Sequence, residues 1–120
     1  MKHEIWWDQE NYCGRIRLVG DLAADEATQL AQAMAPLVEG KSPRQLLLDH
    51  SASPNAVPRD TREAVQLGIK GLYFDKMAVF GLSNFNRVAG KIVVALSGSQ
   101  DNSRFFKTEA EAIAWLRESR

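Results

Sequence analysis

The sequence predicts an α/β domain: a single-layer, mixed but mostly parallel sheet of about five strands with helices on its faces. Three observations carry this. The stretch Arg44-Gln-Leu-Leu-Leu-Asp-His50 sets three leucines in succession before a polar, proline-containing loop. A run that does not alternate must be covered on both faces, and one this short is a strand, not a helix. Second, short β-rich runs alternate with longer stretches of helical apolar spacing, in the order β-β-α-β-α-β-α-β-α. That order calls for parallel strands joined by right-handed crossovers. Third, 120 residues with 45% apolar and 25% charged side chains can bury one real core, so residues 1–120 are expected to form a single domain.

Charge and cysteine content narrow the function classes. Fifteen basic and fifteen acidic side chains cancel, so nothing steers the whole chain toward nucleic acid or an anionic bilayer. The single cysteine, Cys13, excludes an internal disulfide and a multi-thiolate metal site, and fits a reducing cytoplasm. Residues Met1 to Asp8 hold no apolar signal core, and no run approaches the ~20 apolar residues that span a bilayer. The expectation is a soluble cytoplasmic chain without cofactor, nucleic-acid partner or stable membrane insertion.

His3 to Trp7 and Tyr12 to Val19 favour strand, joined by the short polar Asp8-Gln-Glu-Asn11, which predicts an edge hairpin. Arg15 and Arg17 then point to the face that water reaches. Trp6 and Trp7 project to opposite faces, so one packs under a helix or the terminus, or else forms a self-association patch. Ala24 to Val38 carries one apolar stripe through Ala27, Leu30, Ala31, Met34, Leu37 and Val38, with Asp25 and Glu26 in its first turn. Pro36 tightens the last turn and Gly40 ends it. After the Ser51-to-Pro58 loop, Asp60 and Glu63 form a capping-box pattern for a second helix, which Gly68 and Gly71 weaken or end. Lys76 to Gly81 is the next buried strand. Ser83 or Asn84 caps a helix with a stripe of Phe85, Val88, Ala89, Ile92, Val93 and Leu96. Arg104 to Lys107 is the last strand, and Thr108-Glu-Ala-Glu111 is a full capping box for the closing helix.

This order, with Leu46-Leu-Leu-Asp49, Arg59-Asp-Thr-Arg-Glu-Ala64, Ala78-Val-Phe-Gly81 and Phe105-Phe-Lys-Thr-Glu-Ala-Glu-Ala-Ile-Ala-Trp-Leu116, resembles the SpoIIAA-like group of small bacterial STAS domains. The resemblance covers nearly the whole chain, and its C-terminal block is the most specific part. It implies the kind of sheet shared by STAS domains and CRAL-TRIO lipid carriers, and regulated protein contact as the function. Anti-sigma-factor antagonists of the STAS family carry a phosphorylatable serine in an Asp-Ser-Ser-Gly turn at a helix N-terminus. Asp60-Thr61-Arg62-Glu63 falls at the matching place, which makes Thr61 the candidate phosphoacceptor, although Arg62 and Glu63 replace the second serine and the glycine. A phosphate there would meet free helix N–H groups and Arg59 or Arg62. The competing reading makes Thr61 a first-turn residue with a structural role.

In open α/β sheets the functional crevice lies beyond the carboxyl ends of the strands, which here means Asp49, His50, Asp60 and Arg62. Asp49 and His50, with Ser51 and Ser53 nearby, could supply a base and a nucleophile. Neighbours in a strand point apart, however, and no nucleophile elbow, phosphate loop or dinucleotide fingerprint accompanies them. No catalytic residue is assigned. His3 and His50 are too few and too distant in sequence to suggest a metal. The expected partner is another protein, with a second copy of the chain as a candidate. The alternative is a carrier or sensor of a small apolar, lipid-like ligand, held between the sheet and the 84–96 helix in a groove lined by Phe80, Phe85, Ile92 and Leu96. Against that groove stands simple closure of the core by the same stripe.

Overall fold

The computed structural model describes residues 1–118. Nine elements follow in the expected order: β1 (Glu4–Asp8), β2 (Cys13–Val19), α1 (Ala24–Val38), β3 (Gln45–Ala52), α2 (Arg59–Lys70), β4 (Lys76–Phe80), α3 (Asn84–Leu96), β5 (Ser103–Phe106) and α4 (Glu109–Arg117). The strands form one five-stranded sheet in the order β1-β2-β3-β4-β5, antiparallel at the β1–β2 hairpin and parallel throughout the rest. Strand order matches chain order, so three successive right-handed crossovers deliver α1, α2 and α3 to the same face. α4 follows the edge strand and folds back beneath the other face, against β3, β4 and β5.

Strand alternation therefore divides the core in two. Ile16, Leu18, Leu46, Met77 and Val79 face the three helices. Cys13, Leu47, Ala78 and Phe80 face α4 with Ala112 and Leu116. The three leucines of β3 serve both layers, as a strand covered on both sides must. Trp7 joins the three-helix core and meets Tyr12 edge-on, with ring centroids 5.0 Å apart. Trp6 lies on the other face beneath the Arg15 guanidinium, 5.2 Å from its ring centroid. Arg15 is not the water-facing residue that alternation suggests. It is half-buried between the carboxylates of Asp8 at 3.3 Å and Glu109 at 3.4 Å, because α4 covers this end of the strand.

The helices do not sit equally close to the sheet. The backbones of α1 and α4 come closest to the strands, whereas α2 packs mainly on α1 and α3, and α3 meets the sheet through the Phe105 ring of β5. α4 begins as its sequence dictates: Thr108 Oγ1 accepts from the Glu111 N–H, and Glu111 Oε1 accepts from the Thr108 N–H. For α2 the expected box between Asp60 and Glu63 is absent. The helix starts at Arg59 behind an extended Pro58, which puts Asp60 inside the first turn; Asp60 Oδ1 accepts from the Thr61 N–H and Glu63 pairs with Arg59.

The largest departure concerns α3. Ser83 caps it as expected, accepting from the Asn86 N–H at 3.2 Å. Its buried face is Asn86, Ala89, Val93 and Val94, while Phe85, Val88, Ile92 and Leu96 are 55% to 63% exposed. The reason is space, since the Phe105 ring lies directly under α3. A Cβ at Gly90 would come within 2.9 Å of that ring, so small residues face the sheet and large ones are turned outward.

Candidate functional site

The crevice residues named from sequence separate by strand parity. Asp49 lies on the α4 side, where its Oδ1 accepts from the Ser51 N–H at 2.8 Å and the Ser51 hydroxyl at 2.6 Å. His50 lies on the three-helix side, only 6% exposed, with Nδ1 3.4 Å from the Ser53 carbonyl oxygen. A carbonyl can only accept, so Nδ1 carries the proton and Nε2 is left as an acceptor. The two residues do not form a catalytic pair.

Burial pushes the His50 imidazole below its ordinary value of 6.5, outweighing the Ser53 carbonyl and the Asp49 carboxylate, which favour the charged form. Below that pH the unfolded chain takes up a proton that the folded chain resists. The histidine's contribution to stability is therefore complete above pH 6.5 and is lost as pH falls from there toward the folded value. Urea titrations from pH 7.5 downward should show this loss, with a slope no steeper than about 1.4 kcal/mol per pH unit for one proton. His50→Leu should flatten it; an unchanged slope in the variant would assign the effect elsewhere.

Thr61 is 1% exposed, and its hydroxyl donates to the Leu22 carbonyl at 2.9 Å. This bond ties the first turn of α2 to the entry of α1. A kinase cannot reach that oxygen in this conformation, so the structure corrects the expectation of a presented phosphoacceptor. Thr61→Val should instead strand a buried carbonyl and lower unfolding free energy by about 1–3 kcal/mol, as read by chemical denaturation. A neutral result would remove the structural role.

His50 and Arg62 both line a cavity of about 150 Å³ between the sheet and the inner faces of α1, α2 and α3. Its walls are otherwise almost wholly apolar, including Leu48, Val65, Ile69, Met34 and Val93. The α2 and α3 helices roof it, with α3 closing on the Phe105 ring of β5. Arg62 is half-buried and forms no ion pair among the described residues; Arg59 holds Glu63. Asp60 is exposed and lies on the groove between α1 and α2 instead.

Asn86 also lines the cavity and was not singled out from sequence. Its side-chain oxygen accepts from the Val57 N–H at 3.0 Å and its amide donates to the Asn55 carbonyl at 2.9 Å, which pins the β3–α2 loop to α3. The available signal was its spacing, three residues before Ala89 and seven before Val93.

The groove expected from sequence does not form. Phe80 is buried on the α4 face, on the far side of the sheet from α3. Phe85, Ile92 and Leu96 point outward with Val88, at positions i, i+7, i+11 and i+3 of one helix. They make an exposed apolar stripe rather than a lining. Among the described residues no cluster of three His, Cys, Asp or Glu could hold a metal ion, and no helix is long and apolar enough to cross a membrane.

Comparison with known proteins agrees with this architecture. The family model described as SpoIIAA-like matches residues 14–117. No curated protein matches. Among solved structures, an uncharacterized protein of the DUF3478 family with a SpoIIAA-like fold, from Shewanella loihica PV-4, is similar at 20% identity. The alignment covers 95% of this chain and 91% of that one, with a TM-score of 0.66. The match over four of the five strands and all four helices shows that the chain belongs to the SpoIIAA-like family.

Proposed function

We propose that this is a non-enzymatic regulatory domain that docks another protein on the outward face of α3. The observation that supports this is the stripe of Phe85, Val88, Ile92 and Leu96, four large apolar side chains more than half exposed on one helix. Scattered apolar residues on a surface need no explanation, but a contiguous row at helical spacing is what an amphipathic partner buries. The rim narrows the partner's chemistry. α3 carries Arg87 and Lys91 and no acidic residue, so a partner helix with an apolar stripe and acidic flanks is the complement. A two-fold packing of α3 on a second copy would instead bring like charges together. That favours a different protein over a homodimer.

The double variant Phe85→Ser/Ile92→Asp should weaken partner binding by at least about 30-fold, the effect of losing hot-spot contacts. Both side chains are exposed, so the melting temperature should stay within about 2 °C, as surface changes usually allow. Calorimetry and thermal melts read the two quantities. Unchanged affinity would move the interface off α3.

A second reading, a small apolar ligand, is supported by the cavity beneath α3. Its place differs from the groove expected from sequence, being under the inner face of the helix. The neutral-probe arm of the titration described next tests it.

A further inference from the structure

We infer that the cavity binds a short aliphatic monocarboxylate, with the carboxyl group between Arg62 and His50 and the chain running beneath α3. This rests on the second reading above and adds the ligand's chemical class. Size comes first. An engineered apolar cavity of about this volume holds a benzene molecule, so a ligand of about six to eight non-hydrogen atoms fits here.

The walls specify the rest. Apolar side chains from all three helices and the sheet leave the chain no polar partner along most of its length. Polarity is confined to the carboxyl edge of the sheet, where His50 lies near the end of β3, two residues before Ala52, and Arg62 and Asn86 stand in the opening turns of α2 and α3. The Asn86 amide already bonds the loop through both its oxygen and its nitrogen. His50 is more than nine-tenths buried, its Nδ1 is committed to Ser53, and its Nε2 makes no hydrogen bond among the described residues. Arg62 likewise has no carboxylate partner among them.

A cavity with a guanidinium and a neutral imidazole acceptor on its polar edge suits a carboxylate that takes up one proton from solvent on binding. That proton lies between one carboxyl oxygen and His50 Nε2, and the other oxygen accepts from the Arg62 guanidinium. The N-termini of α2 and α3 add positive potential at the same edge. An alcohol could donate to His50 Nε2 but has no second oxygen to accept from Arg62, and the two ligands are thus distinguishable.

The test uses the full chain and three probes of similar size: hexanoate, hexan-1-ol and benzene, followed by amide chemical shifts. All three should move amides around the cavity, notably those of Leu48, Ala89 and Val93. Hexanoate should bind about tenfold or more tightly than hexan-1-ol, as a charge-assisted hydrogen bond provides. Arg62→Met should erase that preference while leaving benzene affinity within about twofold, and Arg62→Lys should restore part of it. The unchanged benzene affinity reports that the variant is folded with its cavity intact. Equal or tighter binding of hexan-1-ol would overturn the carboxylate assignment and keep the apolar-ligand reading. Failure of all three probes to shift the cavity amides would overturn both.

Discussion

Gly81→Ala is expected to destabilise the fold by about 2–5 kcal/mol, the sum of a left-handed backbone penalty and overpacking. Gly81 follows β4 with φ +80°. A Cβ there would lie 2.8 Å from the Ser51 backbone nitrogen and 3.0 Å from its Cα. Those atoms belong to the main chain of β3, the central strand, so no side chain can rotate away to relieve the clash. An internal control separates the two costs. Gly98 has nearly the same φ, +77°, and nothing within 4 Å of its Cβ position. Gly98→Ala should therefore cost only the backbone share, about 1–2 kcal/mol. Equal losses for the two variants in urea denaturation would mean that β3 and the β4–α3 turn do not approach as described.

The second large effect is a difference between adjacent leucines. Leu47→Ala should cost about 4 kcal/mol, within the range for a fully buried leucine. Leu47 is 0% exposed, in the layer it shares with Ala78, Phe80, Ala112 and Leu116, and α4 sits close upon it. Leu48 points the other way, onto the 150 Å³ cavity. Atoms that border a void already lack partners on one side, so truncation there removes fewer dispersion contacts. Leu48→Ala should cost less than Leu47→Ala by about 1–2 kcal/mol. A larger loss at Leu48 would indicate that the three-helix layer is closed tightly and the cavity absent.

Much of this architecture was legible because it is written locally. Three leucines in a row announce a strand covered on both faces, and β3 is one. Ala24 to Val38 shows its stripe, its acidic first turn and its terminator, and α1 has those bounds. Thr108 and Glu111 satisfy each other within one turn, so the box is formed as expected.

What was not legible depends on distant residues. Periodicity in α3 marks six apolar positions but not which of them faces the sheet; the Phe105 ring, arriving from β5, decides that. Thr61 reads as a first-turn residue open to phosphorylation until the Leu22 carbonyl is placed beside it. The Asp60–Glu63 pattern was overridden by Pro58, which caps the helix two residues earlier than Asp60 would. That His50 and Arg62 line one cavity is a property of packing that no single stretch encodes.

Site-resolved photo-crosslinking in the native host tests the docking surface most directly. A photoreactive residue placed at Val88 or Ile92 should trap one partner through a helix with an apolar stripe and acidic flanks, and the same residue at Ala110 on α4 should not. Crosslinks that are equally strong from Ala110, or that join only copies of this chain, would contradict α3 as the surface on which this SpoIIAA-like domain receives another protein.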